Sequence, residues 1–141
     1  EASRSGMIVG LAKEIASEIF QYIGDVLNDL LRYSPDAKHP LHRIAAKDCN
    51  LAIHPGGPLI INTILRVFNI PTVDHCDEII DYQHPAAETW KILYEYGNMS
   101  SATLVFIWDR LRQQEEKRFK PTPTVAFGPG LNIEAALLHR L

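Results

Sequence analysis

Between Ile8 and Leu31 apolar residues return every three or four positions: Ile8, Leu11, Ile15, Ile19, Tyr22, Ile23, Val26, Leu27 and Leu30. Lys13, Glu14, Ser17, Glu18, Gln21, Asp25, Asn28 and Asp29 fall between them. This spacing predicts one long amphipathic helix resting on an apolar surface. From Tyr33 to Lys47 the pattern lapses into scattered charges around Pro35 and Pro40, which predicts an irregular loop. Leu51-Ala52-Ile53 is a short apolar run stopped by His54-Pro55-Gly56-Gly57-Pro58, the pattern of a buried strand entering a tight turn.

Pro58 suits the first turn of a helix, where its missing N–H has no helical partner, and that helix runs to about Phe68. Pro71 to Gln83 is acidic and reads as loop. Pro85 suits another helix start, followed by Ala86, Ala87, Trp90, Ile92 and Leu93 until Gly97 stops it. Ser100 and Ser101 are candidate N-caps for a further helix. Its first half, Ala102 to Trp108, is apolar nearly all round and is expected to be buried; Arg110 to Arg118 alternates charge and is expected to be a solvated helix end. Two strands follow, Thr124–Phe127 and Ile133–His139, joined by Gly128-Pro129-Gly130. Trp90, Trp108, Tyr94 and Tyr96 read as core aromatics. The alternation of helices and strands over residues 1–141 predicts a single layered α/β domain.

Composition narrows the function classes. The 141 residues are 46% hydrophobic and 22% charged, as in an ordinary folded domain. A net charge of −3 offers no electrostatic footing for nucleic acid or an anionic membrane. The longest uncharged apolar stretch, Leu51 to Leu65, is broken by prolines and glycines and falls short of the ~20 residues that cross a bilayer. No secretory signal pattern opens the chain. Cys49 and Cys76 form no C-x-x-C pair and point to reduced thiols in the cytoplasm. The opening Glu1-Ala2-Ser3, without Met, has the look of an excised piece.

Three segments carry candidate chemistry, each a polar or glycine-rich turn at the end of a buried element: His54-Pro55-Gly56-Gly57-Pro58, Tyr96-Gly97-Asn98-Met99-Ser100-Ser101 and Phe127-Gly128-Pro129-Gly130-Leu131. At such a turn His54 is either a general base or hydrogen-bond donor, or a structural histidine held by backbone. The Asn98 amide either donates to a developing oxyanion, helped by a helix dipole, or merely takes a left-handed turn beside Gly97. Asp74, His75, Cys76, Asp77, Glu78 and His84 lie close in sequence, but their spacing fits no tetrahedral zinc pattern, so no metal is expected.

Taken together, H-P-G-G-P, Y-G-N-M-S-S and F-G-P-G-L, in this order and near the C-terminus, resemble the type III polyketide synthase family of chalcone and stilbene synthases. The likeness runs on to Glu134 and takes in the long first helix, so it covers essentially the whole chain. It implies the C-terminal half of a thiolase-like fold, with layered helices and a mixed sheet, and decarboxylative condensation of coenzyme A thioesters without a further cofactor. By this resemblance His54 and Asn98 are the catalytic pair, forming an oxyanion hole for the enolate of malonyl-CoA, with His54 also the ion-pair partner of a nucleophilic cysteine. Gly56, Gly57 and Leu59 approach the coenzyme A arm, and Phe127, Gly128, Pro129 and Gly130 line the polyketide cavity.

Some features depart from the family. Its nucleophilic cysteine belongs to an N-terminal half that this sequence does not contain. Cys49 sits five residues before His54 on the incoming strand, and Cys76 sits among acidic residues that disfavour a thiolate. Val73 to Gln83 and Tyr33 to Lys47 are longer than the family pattern, and Ala126 replaces a glycine. The resemblance implies the N-terminal half, or self-association, as partner and acyl-CoA and malonyl-CoA as ligands. Two other readings stand beside it: a standalone module that binds an acyl-CoA, a polyketide or a partner synthase, and a cysteine-independent thioester decarboxylase, hydrolase or cyclase.

Overall fold

The computed structural model describes residues 2–3, 6–7, 14–32, 48–73, 83–128 and 132–139. Ile19, Ile23 and Leu27 recur four apart, which stacks them along one stripe of a helix. All three are buried, and they dock α1 (Glu14–Arg32) on α2 (Pro58–Val67) through Ile60, Ile61, Ile64 and Leu65. The long helix predicted from Ile8 is thus observed from Glu14; residues 8–13, the segment Tyr33–Lys47 predicted as loop and residues 74–82 lie outside the described residues. Near the N-terminus, β1 (Ala2–Ser3) pairs antiparallel with β2 (Gly6–Met7).

The central layer is a mixed sheet. β3 (Ala52–Ile53) runs parallel to β4 (Thr122–Gly128), with Ile53 beside Val125. β4 runs antiparallel to β5 (Asn132–Leu138), with Val125 beside Ala135. Both observed strands are longer at their first ends than the sequence pattern predicts. Strand alternation divides the core: Leu51, Ile53 and Val125 face the α1/α2 cluster, while Ala52 faces Ile92, Leu104, Ile107 and Leu111 of α3 (Ala87–Tyr96) and α4 (Ala102–Arg112). Helices therefore cover the sheet on two sides.

α3 begins later than Pro85. Ala86 is its N-cap, and His84 braces the approach: its carbonyl accepts from Ala87 N–H at 3.0 Å and its Nδ1 from Ala86 N–H at 3.1 Å. The helix stops at Gly97, whose φ of 71° is the left-handed conformation that glycine adopts without strain. Thr89, fully buried, stitches α3 to β3: its hydroxyl donates to Leu51 O at 3.0 Å and accepts from Ile53 N–H at 3.2 Å. Thr89→Val keeps the shape and strands two buried backbone groups. The expected loss is about 1–3 kcal/mol of unfolding free energy, read from urea unfolding. A variant as stable as the parent would show that water replaces the hydroxyl.

α4 departs from expectation at both ends. Leu104 and Ile107 are buried, but Val105 is 58% and Phe106 45% exposed. A helix apolar all round that packs on β3 and α3 with one face leaves its other face to water. Tyr94 and Tyr96 are likewise exposed instead of core, with the Tyr96 ring against Phe106 at 5.7 Å. Trp90 is buried as predicted, and Trp108, part-buried, donates its indole N–H to Thr124 Oγ1 at 3.1 Å. The charged run does not extend the helix, which ends at Arg112. Asn50 Nδ2 donates to Lys117 O at 2.8 Å and pulls that segment inward, so Lys117 is buried where a solvated side chain was expected.

Candidate active site

His54 leaves the sheet at the end of β3, its backbone N–H donating to Val125 O at 2.8 Å. Gly56 N–H then turns back onto His54 O at 2.9 Å, folding the chain tightly over Pro55. Gly57 follows at φ 148°, ψ 165°, a conformation that a side chain disfavours, and serves as the N-cap of α2. Nothing lies within 4 Å of a Cβ built there, so backbone conformation and not crowding demands the glycine. The imidazole is held in place by this frame. It is 7% exposed, and its Nδ1 is buried without a hydrogen-bond partner. Burial pushes the His54 pKa below its ordinary 6.5, so at neutral pH the ring is uncharged and carries one N–H.

Asn98 stands in the connection from α3 to α4, exposed, with its Oδ1 accepting from Ser100 N–H at 2.9 Å. Ser100 has φ 59°, unusual for a residue with a side chain. Neither Ser100 nor Ser101 caps α4 through its side chain. The hydroxyl of fully buried Thr103 acts in their place: it accepts from Met99 N–H at 3.0 Å and donates to Ser100 O at 2.8 Å. Sequence reasoning does not single out Thr103; the one signal is a hydroxyl residue in the first turn after N-M-S-S.

The remaining site residues fall into two groups. Gly56, Gly57 and the half-exposed Leu59 surround the first turn of α2, next to His54. Phe127 and Gly128 end β4, Phe127 packing partly against the α1/α2 core; Pro129 and Gly130 lie outside the described residues. α3 and α4 both pack on β3, so the elements that bear His54 and Asn98 meet at one strand. His54 itself lies just past β3, its ring beside Gly56 at the approach to α2.

Cys49 is placed apart from this site. It precedes β3 while His54 follows it, and it lines a cavity of about 290 Å³ with Asn50, His84, Lys117 and Lys120. Burial, then the nearby Asp48 carboxylate, pushes its thiol up to about 11 against a smaller pull from Lys120, so at neutral pH it is not a thiolate. Cys76 and the Asp74–Glu78 cluster lie outside the described residues. Among the described residues no group of three or more His, Cys, Asp or Glu could hold a metal ion, and no helix is long and apolar enough to cross a membrane.

Residues 2–141 match the family model for chalcone and stilbene synthases, C-terminal domain. The chain belongs to this family. Its relatives include the alpha-pyrone synthesis polyketide synthase-like protein Pks18 of Mycobacterium tuberculosis, 29% identical over 96% of this chain. Probable polyketide synthase 1 of Dictyostelium discoideum is 35% identical over 70% of the chain. The crystal structure of the C-terminal type III polyketide synthase domain of Steely1, a type I/III hybrid from Dictyostelium, superposes with a TM-score of 0.76 at 28% identity, covering 99% of this chain. The α/β architecture is thus the C-terminal part of a thiolase-like fold. The chain spans 30% of the length of the mycobacterial relative and 35% of the Steely1 domain.

Proposed function

We propose that this type III polyketide synthase domain supplies the oxyanion hole for decarboxylative condensation of coenzyme A thioesters, its nucleophilic cysteine coming from an N-terminal half. The observation that carries this reading is the buried, partnerless Nδ1 of His54, at the end of the strand on which α3 and α4, the helices that flank Asn98, both pack. Buried polar atoms are nearly always paired, and an orphan marks a group awaiting a ligand or partner. On this reading both side chains face the thioester carbonyl of malonyl-CoA. The C–C bond to the carboxylate breaks, carbon dioxide leaves, and the electron pair passes into an enolate whose oxygen is held by His54 and Asn98. The enolate carbon attacks the acyl group carried by the cysteine, and the cysteine departs as thiolate. A preformed pair of neutral donors costs no reorganisation as charge develops.

Gly56, Gly57 and Leu59 would border the coenzyme A arm, and Phe127 to Gly130 the growing chain; no cofactor is required. The exposed Tyr94, Tyr96, Val105 and Phe106 offer an apolar face for the N-terminal half. We place the protein in the cytoplasm, in keeping with the free thiol of Cys49.

The test is to incubate the chain with malonyl-CoA, alone and co-expressed with the N-terminal half of a type III polyketide synthase whose cysteine is intact. The chain alone is expected to be inert and to bind a dye for exposed apolar surface; the pair is expected to release acetyl-CoA and condensed products. Acetyl-CoA formed by the chain alone, and lost in His54→Ala, would replace this reading with a cysteine-independent decarboxylase. Acyl-CoA binding without turnover in either arm would make it a binding module.

A further inference from the structure

We propose that Thr103 is a positioning residue for Asn98: its buried hydroxyl clamps the Met99–Ser100 turn so that the Asn98 carboxamide presents its amino group, and not its oxygen, to substrate. This rests on the oxyanion-hole reading above and names the residue that gives that site its sign.

An asparagine side chain has a donor end and an acceptor end of nearly equal shape, and only the donor can hold an enolate oxygen. Which end faces outward is decided here by chemistry. The atom meeting Ser100 N–H at 2.9 Å must be an acceptor, so it is Oδ1, and Nδ2 is turned to the open side of an exposed residue. That arrangement exists only while Ser100 N–H points back at Asn98, in an Asx turn that leads directly into the left-handed residue Ser100, φ 59°. A serine does not hold this conformation by preference. It is held from the adjacent helix. Thr103 Oγ1 accepts from Met99 N–H at 3.0 Å and donates to Ser100 O at 2.8 Å, and Thr103 N–H donates to the same oxygen at 3.1 Å. One hydroxyl thereby fixes the 98–99 and 100–101 peptide groups, which bracket the 99–100 peptide whose N–H orients the amide. Thr103 is itself 0% exposed in the first turn of α4, so its rotamer is set by packing and not by solvent.

The test uses the chain complexed with the N-terminal half, comparing malonyl-CoA decarboxylation with hydrogen exchange at the Ser100 amide. Asn98→Asp retains an acceptor for Ser100 N–H and loses the donor. Its kcat is expected to fall about 10²–10³-fold with Ser100 still protected. Thr103→Val removes the hydroxyl at nearly constant volume. Its kcat is expected to fall about tenfold at unchanged KM, since the lost alignment is felt only as charge develops, and Ser100 exchange is expected to quicken. Thr103→Ser should restore both. If Thr103→Val does not fold, Thr103→Ala, a better helix former, carries the same comparison. An active Asn98→Asp would overturn the oxyanion-hole reading itself. An inactive Asn98→Asp beside wild-type kcat and wild-type Ser100 exchange in Thr103→Val or Thr103→Ala would leave that reading standing and sink the role of Thr103.

Discussion

Replacing Glu88 by Leu is expected to lower the unfolding free energy by about 3–5 kcal/mol, the cost of removing one partner from a buried ion pair. Glu88 is 2% exposed on α3 and serves two ammonium groups. Its Oε1 lies 2.9 Å from Lys91 Nζ and 3.6 Å from Lys117 Nζ. Lys91 can swing out to water; Lys117, 5% exposed, cannot. The variant therefore leaves a charge buried without its carboxylate. Pairing Glu88→Leu with Lys117→Met removes both charges and should recover most of the loss, because desolvation of an ion pair consumes much of what the pair contributes. Urea midpoints of the two single variants and the double variant measure the coupling, and additive losses would show that the pair is not energetically linked.

The same pair predicts a pH dependence. Burial alone would raise the Glu88 pKa, but hydrogen bonds from Gln114 and Lys91 and the charges of Lys91 and Lys117 leave it below the ordinary 4.5. The unfolded chain then binds the proton more readily, so Glu88 stabilises the fold above 4.5 and loses that contribution as pH falls through its lower folded value. Burial pushes Lys117 below its ordinary 10.5 despite Glu88. Here too the unfolded state holds the proton longer, and stability rises as pH climbs through the folded value toward 10.5. Without Glu88 the Lys117 value falls further. The deficit of Glu88→Leu should therefore narrow at both ends of the scale, in acid because the parent loses its carboxylate and in alkali because Lys117 discharges.

The parts of this molecule legible in the sequence are those governed by local periodicity and backbone geometry. The Ile19-Ile23-Leu27 stripe, Pro58 at a helix start, Gly97 at a helix stop and the strands around 125 and 135 all follow from rules that involve a few neighbours. What failed was set by contacts distant in the chain. Lys117 looks solvated until Asn50, 67 residues away, captures its carbonyl and Glu88 its ammonium. The apolar girdle of α4 reads as core, but one side of a helix is all that this chain can cover, and Val105 and Phe106 remain open. At the site, the roles of His54 and Asn98 come from the family resemblance of their motifs, whereas the Thr103 clamp depends on a three-dimensional hydrogen-bond circuit that no residue pattern encodes.

His54→Ala in the complex with the N-terminal half is expected to reduce malonyl-CoA decarboxylation about 10²–10³-fold, the usual effect of deleting one oxyanion donor. The fall should lie in kcat, since the hydrogen bond strengthens only as the enolate forms. Condensation should suffer more than decarboxylation, because the proposed second task of His54 is to hold the partner cysteine as thiolate. His54→Gln separates the two tasks: an amide can donate to the enolate but cannot become a cation. It should regain part of the decarboxylation and little of the condensation. Titration of the imidazole by NMR provides the electrostatic counterpart. In the chain alone burial holds the His54 value below 6.5, and in the complex a thiolate within ion-pair reach should raise it, since an opposite charge favours the protonated ring. A value unmoved by the partner, together with equal losses of both reactions in His54→Gln, would reduce His54 to a donor and leave the cysteine to be activated by other groups.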